Sequence, residues 1–323
     1  MPQTKKKPKK ILPKISGHET FTLKYGWIKK IVDEVEKAEN TDPESLKDLF
    51  KSDDAIVRFG IGRNMVNSLK YWATSTCLVH AENLTLTSFS KDFFAADGCD
   101  PYLEAMESLW LVHYNLACNK LLVTYNWFFN KYNGGSFDRK SILNDLIEYF
   151  SKEEIRLSSE STLKRDVECF IRMYSSKNLS SSKQTDESIE SPLRELGLVK
   201  ESATKNIFDV NRGDKLGLTL ELAYYMILDF WENSKPEDGN DLQSLSFNAL
   251  LYDENSIGRI CLLNESALNK IILEISEKYS HEISWSDTSG MRQFIKVSED
   301  SINELKKNAY KNLVQKIYSY GLR

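Results

Sequence analysis

The sequence predicts a mainly α chain with small β-hairpins, in which winged helix-turn-helix units are joined by a helical core. Three observations predict it. Only 14 Gly and 7 Pro occur among 323 residues, below the usual roughly 7% and 5%, which disfavours a turn-dense β chain. Apolar residues, 41% of the total, recur mostly at helical spacing and suffice to bury real cores. Helices are also followed repeatedly by short strand-like stretches around polar turns. Length alone suggests about two domains. Composition divides the chain more finely: a basic tail at 1–14, an N-terminal winged-helix domain at 15–98, a helical core at 99–235, and a C-terminal helix/strand unit at 236–323. The core includes a second winged-helix-like unit with a flexible loop at 175–191.

Each element follows from its pattern. Ile28, Ile31, Val32 and Val35 mark a helix over Tyr25–Ala38, and Pro43 opens a short helix through Leu46, Leu49 and Phe50. Arg58-Phe59-Gly60-Ile61-Gly62-Arg63-Asn64 is a glycine turn running into an amphipathic helix. Met65, Val66, Leu69, Trp72 and Ala73 share its inner face, and Arg63, Asn67, Lys70 and Thr74 its outer one. Cys77–His80 and Leu84–Thr87 read as two strands about Ala81–Asn83, completing a winged-helix order. An ordinary helix-and-hairpin domain would show the same pattern.

Tyr102–Phe129 is dense in large apolar residues and reads as a buried helical pair. After the break at Asn133-Gly134-Gly135, Ser141–Phe150 restarts a helix. Ser161–Tyr174 then turns Leu163, Val167, Phe170, Ile171 and Tyr174 inward and Lys164, Arg165, Glu168 and Arg172 outward. The serine-rich stretch 175–191 is too polar to pack; Leu193–Val199 and Asn206–Asn211 would form the second wing. Leu216–Trp231 is another apolar helix, and Pro236–Asp241 a boundary. Asn264 can cap a helix bearing Leu268, Ile271, Ile272, Ile275 and Tyr279. His281–Trp285 and Met291–Val297 then flank a turn as a third helix-plus-strand unit.

Charge and composition exclude several functions. Lys5, Lys6, Lys7, Lys9, Lys10 and Lys14 leave the remainder at −10 against an overall −4. Nucleic-acid binding by bulk charge is therefore excluded, and local basic surfaces or helix ends must do the work. The tail reads equally as a basic arm or as a solvated terminus. Five cysteines, widely spaced and without C-x-x-C, argue against a disulfide framework or a structural zinc site. No apolar run reaches the roughly 20 residues of a membrane span, and no signal core follows the lysines. The chain reads as cytoplasmic, with no membrane partner.

Candidate chemistry is sparse. A P-loop is absent, and Met65 occupies the third glycine position of a dinucleotide fingerprint, so no nucleotide or organic cofactor is expected. Gly60 and Gly62 would admit a close ligand, while Arg63 and Asn64 at a helix start suit DNA phosphates or base edges. A tight turn with an exposed arginine is the competing account. Ser16-Gly17-His18-Glu19-Thr20-Phe21 places a titratable pair before a helix start, open either to anion binding or to helix capping. Asp300 with Glu304 and Lys306 fits a metal-nuclease spacing only loosely. Asp287 with Arg292 reads as a DNA contact or as a pair that orders a loop.

Several stretches together carry a resemblance: Ser16–Phe21 with Gly26-Trp27, Val57–Met65 with Tyr71-Trp72, and Trp127-Phe128-Phe129-Asn130. So do Arg165-Asp166-Val167-Glu168, Ser191–Leu198, Asn211-Arg212-Gly213, and Trp285-Ser286-Asp287 with Gly290. From about residue 15 to 300 the chain resembles uncharacterised-domain family 4007, which includes SspB of bacterial DNA phosphorothioation systems. The resemblance implies an antiviral-defence protein acting on DNA beside an ATPase and a sulfur-transfer enzyme, where the SspB member is the DNA-nicking component. Two readings stay open. One is a nicking endonuclease using Mg²⁺ or Mn²⁺, with acids near the glycine turn or the His18-Glu19 pair orienting ion and water. The other is a non-catalytic winged-helix adaptor that recruits the sulfur-modification enzymes. The resemblance assigns no catalytic residue; His18 and Glu19 are the candidates the residues themselves offer. The DNA-binding set is Arg58, Gly60, Gly62, Arg63, Asn64, Asn67 and Lys70, with Lys164 and Arg165 from the second unit.

Overall fold

The computed structural model describes residues 13–157, 159–176, 191–235, 242–288 and 290–321. Most of the basic tail, residues 177–190 of the expected flexible loop, and the expected boundary at 236–241 lie outside the described residues. The described residues open with a tight turn and then α1 (Tyr25–Thr41), which buries Trp27, Ile28, Ile31, Val32 and Val35 along one stripe. A 3-10 turn at Pro43–Asp48 leads to α2 (Asp54–Phe59). That helix stops where Gly60 takes the left-handed conformation at φ 63° and donates its N–H to the Ile56 carbonyl. Extended backbone at Gly62 starts α3 (Arg63–Ser75), whose Val66, Leu69, Trp72 and Ala73 are buried as the wheel predicts.

The first expected wing is much reduced. Val79 and Leu86 form one isolated antiparallel bridge rather than two strands. Cys77 and Leu84 both have positive φ, which breaks the extended run at each start, and His80 closes a tight turn through bonds with Thr85 and Leu84. Thr87 then caps α4 (Ser88–Phe94).

The helical core is as expected. α5 (Met106–Cys118) and α6 (Val123–Asn130) are buried nearly all round, with Trp110, Tyr125, Phe128 and Phe129 at the centre. β1 (Ser136–Phe137) precedes α7 (Arg139–Lys152), which Asp138 caps in a reciprocal capping box with Ser141. α8 (Glu160–Tyr174) buries its predicted inner face. β2 (Ser175–Ser176), β3 (Val199–Glu201) and β4 (Phe208–Val210) complete a sheet in the order β1-β4-β3-β2, parallel only between β2 and β3. Most of Leu193–Val199 is not strand: Pro192, with Ser191 capping, opens a 3-10 turn to Leu196.

α9 (Leu220–Asn233) leads to β5 (Ser244–Ser246), then to α10 (Phe247–Tyr252) and α11 (Ile257–Ile260). α12 (Glu265–Lys278) is capped by Asn264, as predicted. β6 (Ile283–Thr288) and β7 (Met291–Lys296) form the third hairpin, with β5 added antiparallel to β7. α13 (Ile302–Gly321) lies along α9. One hydrophobic cluster runs from Ile15 to Ile317, so N-terminal and C-terminal segments share a core. Among the described residues, no helix is long and apolar enough to cross a membrane.

Candidate nucleic-acid interface

The glycine turn sits at the surface, but its two arginines are committed to the protein. Arg63 donates through Nη1 to the Lys51 and Ser52 carbonyls, each at 3.0 Å, and through Nη2 to Asp53 at 2.9 Å. Arg58 reaches the Leu49 carbonyl at 3.2 Å and lies 3.8 Å from Glu34. Both therefore fix the chain between the 3-10 turn and α2. Lys30 closes the C-terminus of α2 by donating to the Phe59 carbonyl at 2.7 Å. Gly62 is open, with nothing within 4 Å of where a Cβ would stand.

What remains available is on the outer face of α3. Asn64 and Asn67 are exposed, and Lys70 is half-buried. Lys70 borders a groove of about 400 Å³ between the 3-10 turn and the Ala81–Thr85 turn, with Lys47 and Lys51 on its other wall. Burial, and then the like charge of Lys51, hold Lys70 below the usual lysine range. Lys47 is paired with Glu44 at 2.9 Å. The Lys51–Lys70 repulsion is what an incoming anion would relieve. The sequence reading named Lys70 but not Lys51, because the loop that brings Lys51 across has no periodicity to reveal it.

His18 and Glu19 do not share a site. His18 is only 2% exposed, its Nε2 3.0 Å from Asp166 Oδ1, and its Nδ1 accepts the Thr20 amide at 3.0 Å. Burial works against a charged ring, the Asp166 carboxylate and the neighbouring Cys169 thiol outweigh it, and the net proton affinity is raised. Burial likewise pushes the Asp166 carboxyl up. Glu19 instead points to solvent at φ 47°. The surrounding turn is a plug: a Cβ on Gly17 would stand 2.6 Å from the Tyr71 ring, and Trp72 Nε1 donates to the Phe21 carbonyl at 3.0 Å. Sequence reasoning missed Asp166; the signal that could have found it is an acid on the inner face of an otherwise apolar helical stripe.

Lys164 and Arg165 are exposed on α8, opposite the face that carries Asp166. Arg172 on that helix bonds the Thr20 carbonyl, and Arg139 meets Glu168 at 3.1 Å. In the third unit Arg292 bonds Glu265 at 2.5 Å and Asn269 at 2.9 Å, stacks 3.7 Å over Phe247, and lies 3.9 Å from Asp287. It ties the β6–β7 ribbon to α12. The loose nuclease-like acids do not converge: Glu304 accepts from Ser301 at the start of α13, and Lys306 reaches Asp229 at 3.3 Å. Among the described residues no group of three or more His, Cys, Asp or Glu side chains could hold a metal ion.

A family model described as "protein of unknown function (DUF4007)" matches residues 15–318. The chain belongs to the DUF4007 family. Two solved structures share the DUF4007 fold seen here. A magnesium ion-bound SspB crystal structure superposes with a TM-score of 0.79 at 21% identity, covering 94% of this chain and 88% of that one. A second SspB crystal structure gives 0.78 at 22% identity with the same coverage. Comparison with curated proteins finds no match. The residues that the family model matches span both the glycine turn before α3 and the His18–Asp166 contact.

Proposed function

We propose that this DUF4007 protein binds DNA as a component of a bacterial phosphorothioation system, meeting the duplex with the exposed face of α3. The observation that carries the reading is the Lys51–Lys70 groove beside Asn64 and Asn67. Lysines there neutralise backbone phosphates, and the asparagine amides can read an adenine edge or hold a phosphate. Arg58 and Arg63 act as positioning residues that hold the groove wall. With the wing reduced to one bridge, the helix itself is the contacting element. Lys164 and Arg165 on α8 extend the contact to a second backbone segment. The ATPase and sulfur-transfer enzyme of such a system are its protein partners.

The test is fluorescence anisotropy of a labelled duplex with the full chain at fixed salt. Lys51→Glu with Lys70→Glu should weaken binding at least tenfold and flatten the salt dependence. Unchanged affinity with intact circular dichroism would remove this face from DNA recognition.

A second reading is favoured by the likeness to a magnesium-bound SspB structure: nicking of DNA with Mg²⁺ or Mn²⁺. Mg²⁺ often keeps several waters and takes only one or two carboxylates. The described residues offer no three-ligand set, so no ligand and no catalytic step is assigned. Supercoiled plasmid with purified protein and either metal separates the two readings. Relaxed circles that disappear with chelator support nicking; intact supercoils with a gel shift leave the adaptor.

A further inference from the structure

A second concentration of positive charge lies away from α3, where the Asn211–Lys215 loop meets α11 and the turn after α6. Arg212 donates Nη2 to the Tyr132 carbonyl at 3.2 Å, and Arg259 donates Nη1 to Asn133 Oδ1 at 2.7 Å. Two guanidiniums thus converge on adjacent residues of one turn. Lys215 folds back over the same loop, its Nζ 2.9 Å from both the Asn211 and Gly213 carbonyls. The loop is rigidly placed: Gly213, at φ 134°, donates to the Leu262 carbonyl at 3.1 Å, and the Asn211 side chain donates to the Gly197 carbonyl at 2.8 Å.

All three cations are half-buried. Among the described residues none of them lies within 4.0 Å of a carboxylate; the neighbouring Glu254 pairs with Lys131 and acts on Arg259 only at longer range. Their partners are neutral oxygens, which satisfy donors without cancelling charge. Burial holds Arg212 below the ordinary arginine range, and the Arg259 charge adds to it. Burial, with the charges of Lys200 and Arg212, pushes Lys215 down to about 8 against the opposing effects of Cys261 and Asp214. Three like charges that are partly desolvated and fixed together cost free energy in the empty protein. An arrangement of this kind is stabilised by a ligand that brings negative charge and several acceptor oxygens.

We propose that Arg212, Arg259 and Lys215 form a phosphate-binding site, with the DNA backbone as the principal source of the phosphate. The second half of that statement rests on the DNA-binding reading above; the first does not. Arg212 uses one of its five N–H donors within the protein, so its fork is open to two phosphate oxygens. Lys200, exposed on β3, adds to the field at the rim.

Two measurements on the full chain test the site. Thermal unfolding with added pyrophosphate should raise the wild-type midpoint, and Arg212→Gln with Arg259→Gln should abolish that rise. Anisotropy with duplex DNA across salt should show the slope of log affinity against log salt falling by about one per contact removed, with roughly tenfold weaker binding. Lys200→Glu, which touches no core contact, should weaken both responses and guards against misfolding of the double variant. Loss of the pyrophosphate response with an unchanged DNA slope assigns the site to free phosphate. Wild-type behaviour of all variants in both measurements overturns it. Absence of any DNA binding by the wild-type chain, with the pyrophosphate response intact, overturns the DNA-binding reading and not this site.

Discussion

His18 Nε2 and Asp166 Oδ1 meet at 3.0 Å across 148 residues of sequence, each side chain 2% exposed. The contact joins the amino-terminal turn to α8. Because Trp72 and Ser68 also reach the Phe21 carbonyl, the same turn registers α3 against α8. The two helices that carry the proposed DNA contacts are therefore held together through a buried histidine.

Removing one partner leaves the other buried without compensation, which costs about 3–5 kcal/mol. Asp166→Asn or His18→Leu should lower the unfolding free energy measured by urea titration by that order, and the double variant should lose less than the two singles together. DNA affinity of the folded protein should hold within a few-fold. A variant of normal stability that had lost function would instead make His18 a catalytic residue.

The two glycines of the turn should behave differently. Gly60 sits at φ 63°, where an alanine Cβ costs about 1 kcal/mol. Gly62 sits at φ −65° with open space around it, so Gly62→Ala should leave stability unchanged. If DNA backbone approaches Gly62 closely, Gly62→Ala should still weaken binding several-fold. Thermal melts paired with anisotropy separate the two effects, and a Gly62→Ala protein with wild-type affinity would show that the duplex keeps its distance there.

The helices were legible because burial follows spacing: α1 buries Ile28, Ile31, Val32 and Val35, and α8 buries its whole expected stripe, while Met65 of α3 and Ile271 of α12 stay half-buried and Leu216, expected in the apolar helix, lies exposed before α9 begins at Leu220. The first wing was not, since Cys77 and Leu84 adopt positive φ that neither residue type signals. Site chemistry was harder. Arg63 reads from sequence as an outward cation, and only the fold shows the loop 51–53 returning to occupy its donors. His18 reads either as a titratable partner of Glu19 at the surface or as a packed histidine beside a capping turn; it packs, and only the approach of α8 reveals Asp166 as its partner. Long-range contacts leave no local spacing to detect.

Arg63 consequently acts by position. Arg63→Ala should free the segment around Lys51–Asp53, seen as faster proteolysis there, and weaken DNA binding by about 1–3 kcal/mol. Arg63→Lys should not restore either property, because a single ammonium cannot span two carbonyls and a carboxylate as the planar fork does. Full rescue by lysine would show that only charge matters at this position.

His113 supplies the pH dependence. Its Nε2 must donate to the Ile260 carbonyl at 3.0 Å, so Nδ1 accepts the Tyr174 hydroxyl at 2.8 Å and the neutral ring is fully paired. Burial pushes its pKa down to about 4, with the Ile260 carbonyl opposing. A depressed folded-state value means that stability is fully present above the unfolded value near 6.5 and is lost as pH falls towards 4, on the order of 3 kcal/mol in total. Glu221, held at about 2 against burial by Lys278 and Lys316, acts only at lower pH still. Urea midpoints measured at pH 7.0, 5.5 and 4.5 should fall steadily for the wild type. For His113→Phe the midpoint should start lower, with the Tyr174 hydroxyl and Ile260 carbonyl unpaired, and change much less with pH. Parallel curves for the two proteins would assign the acid sensitivity to other groups.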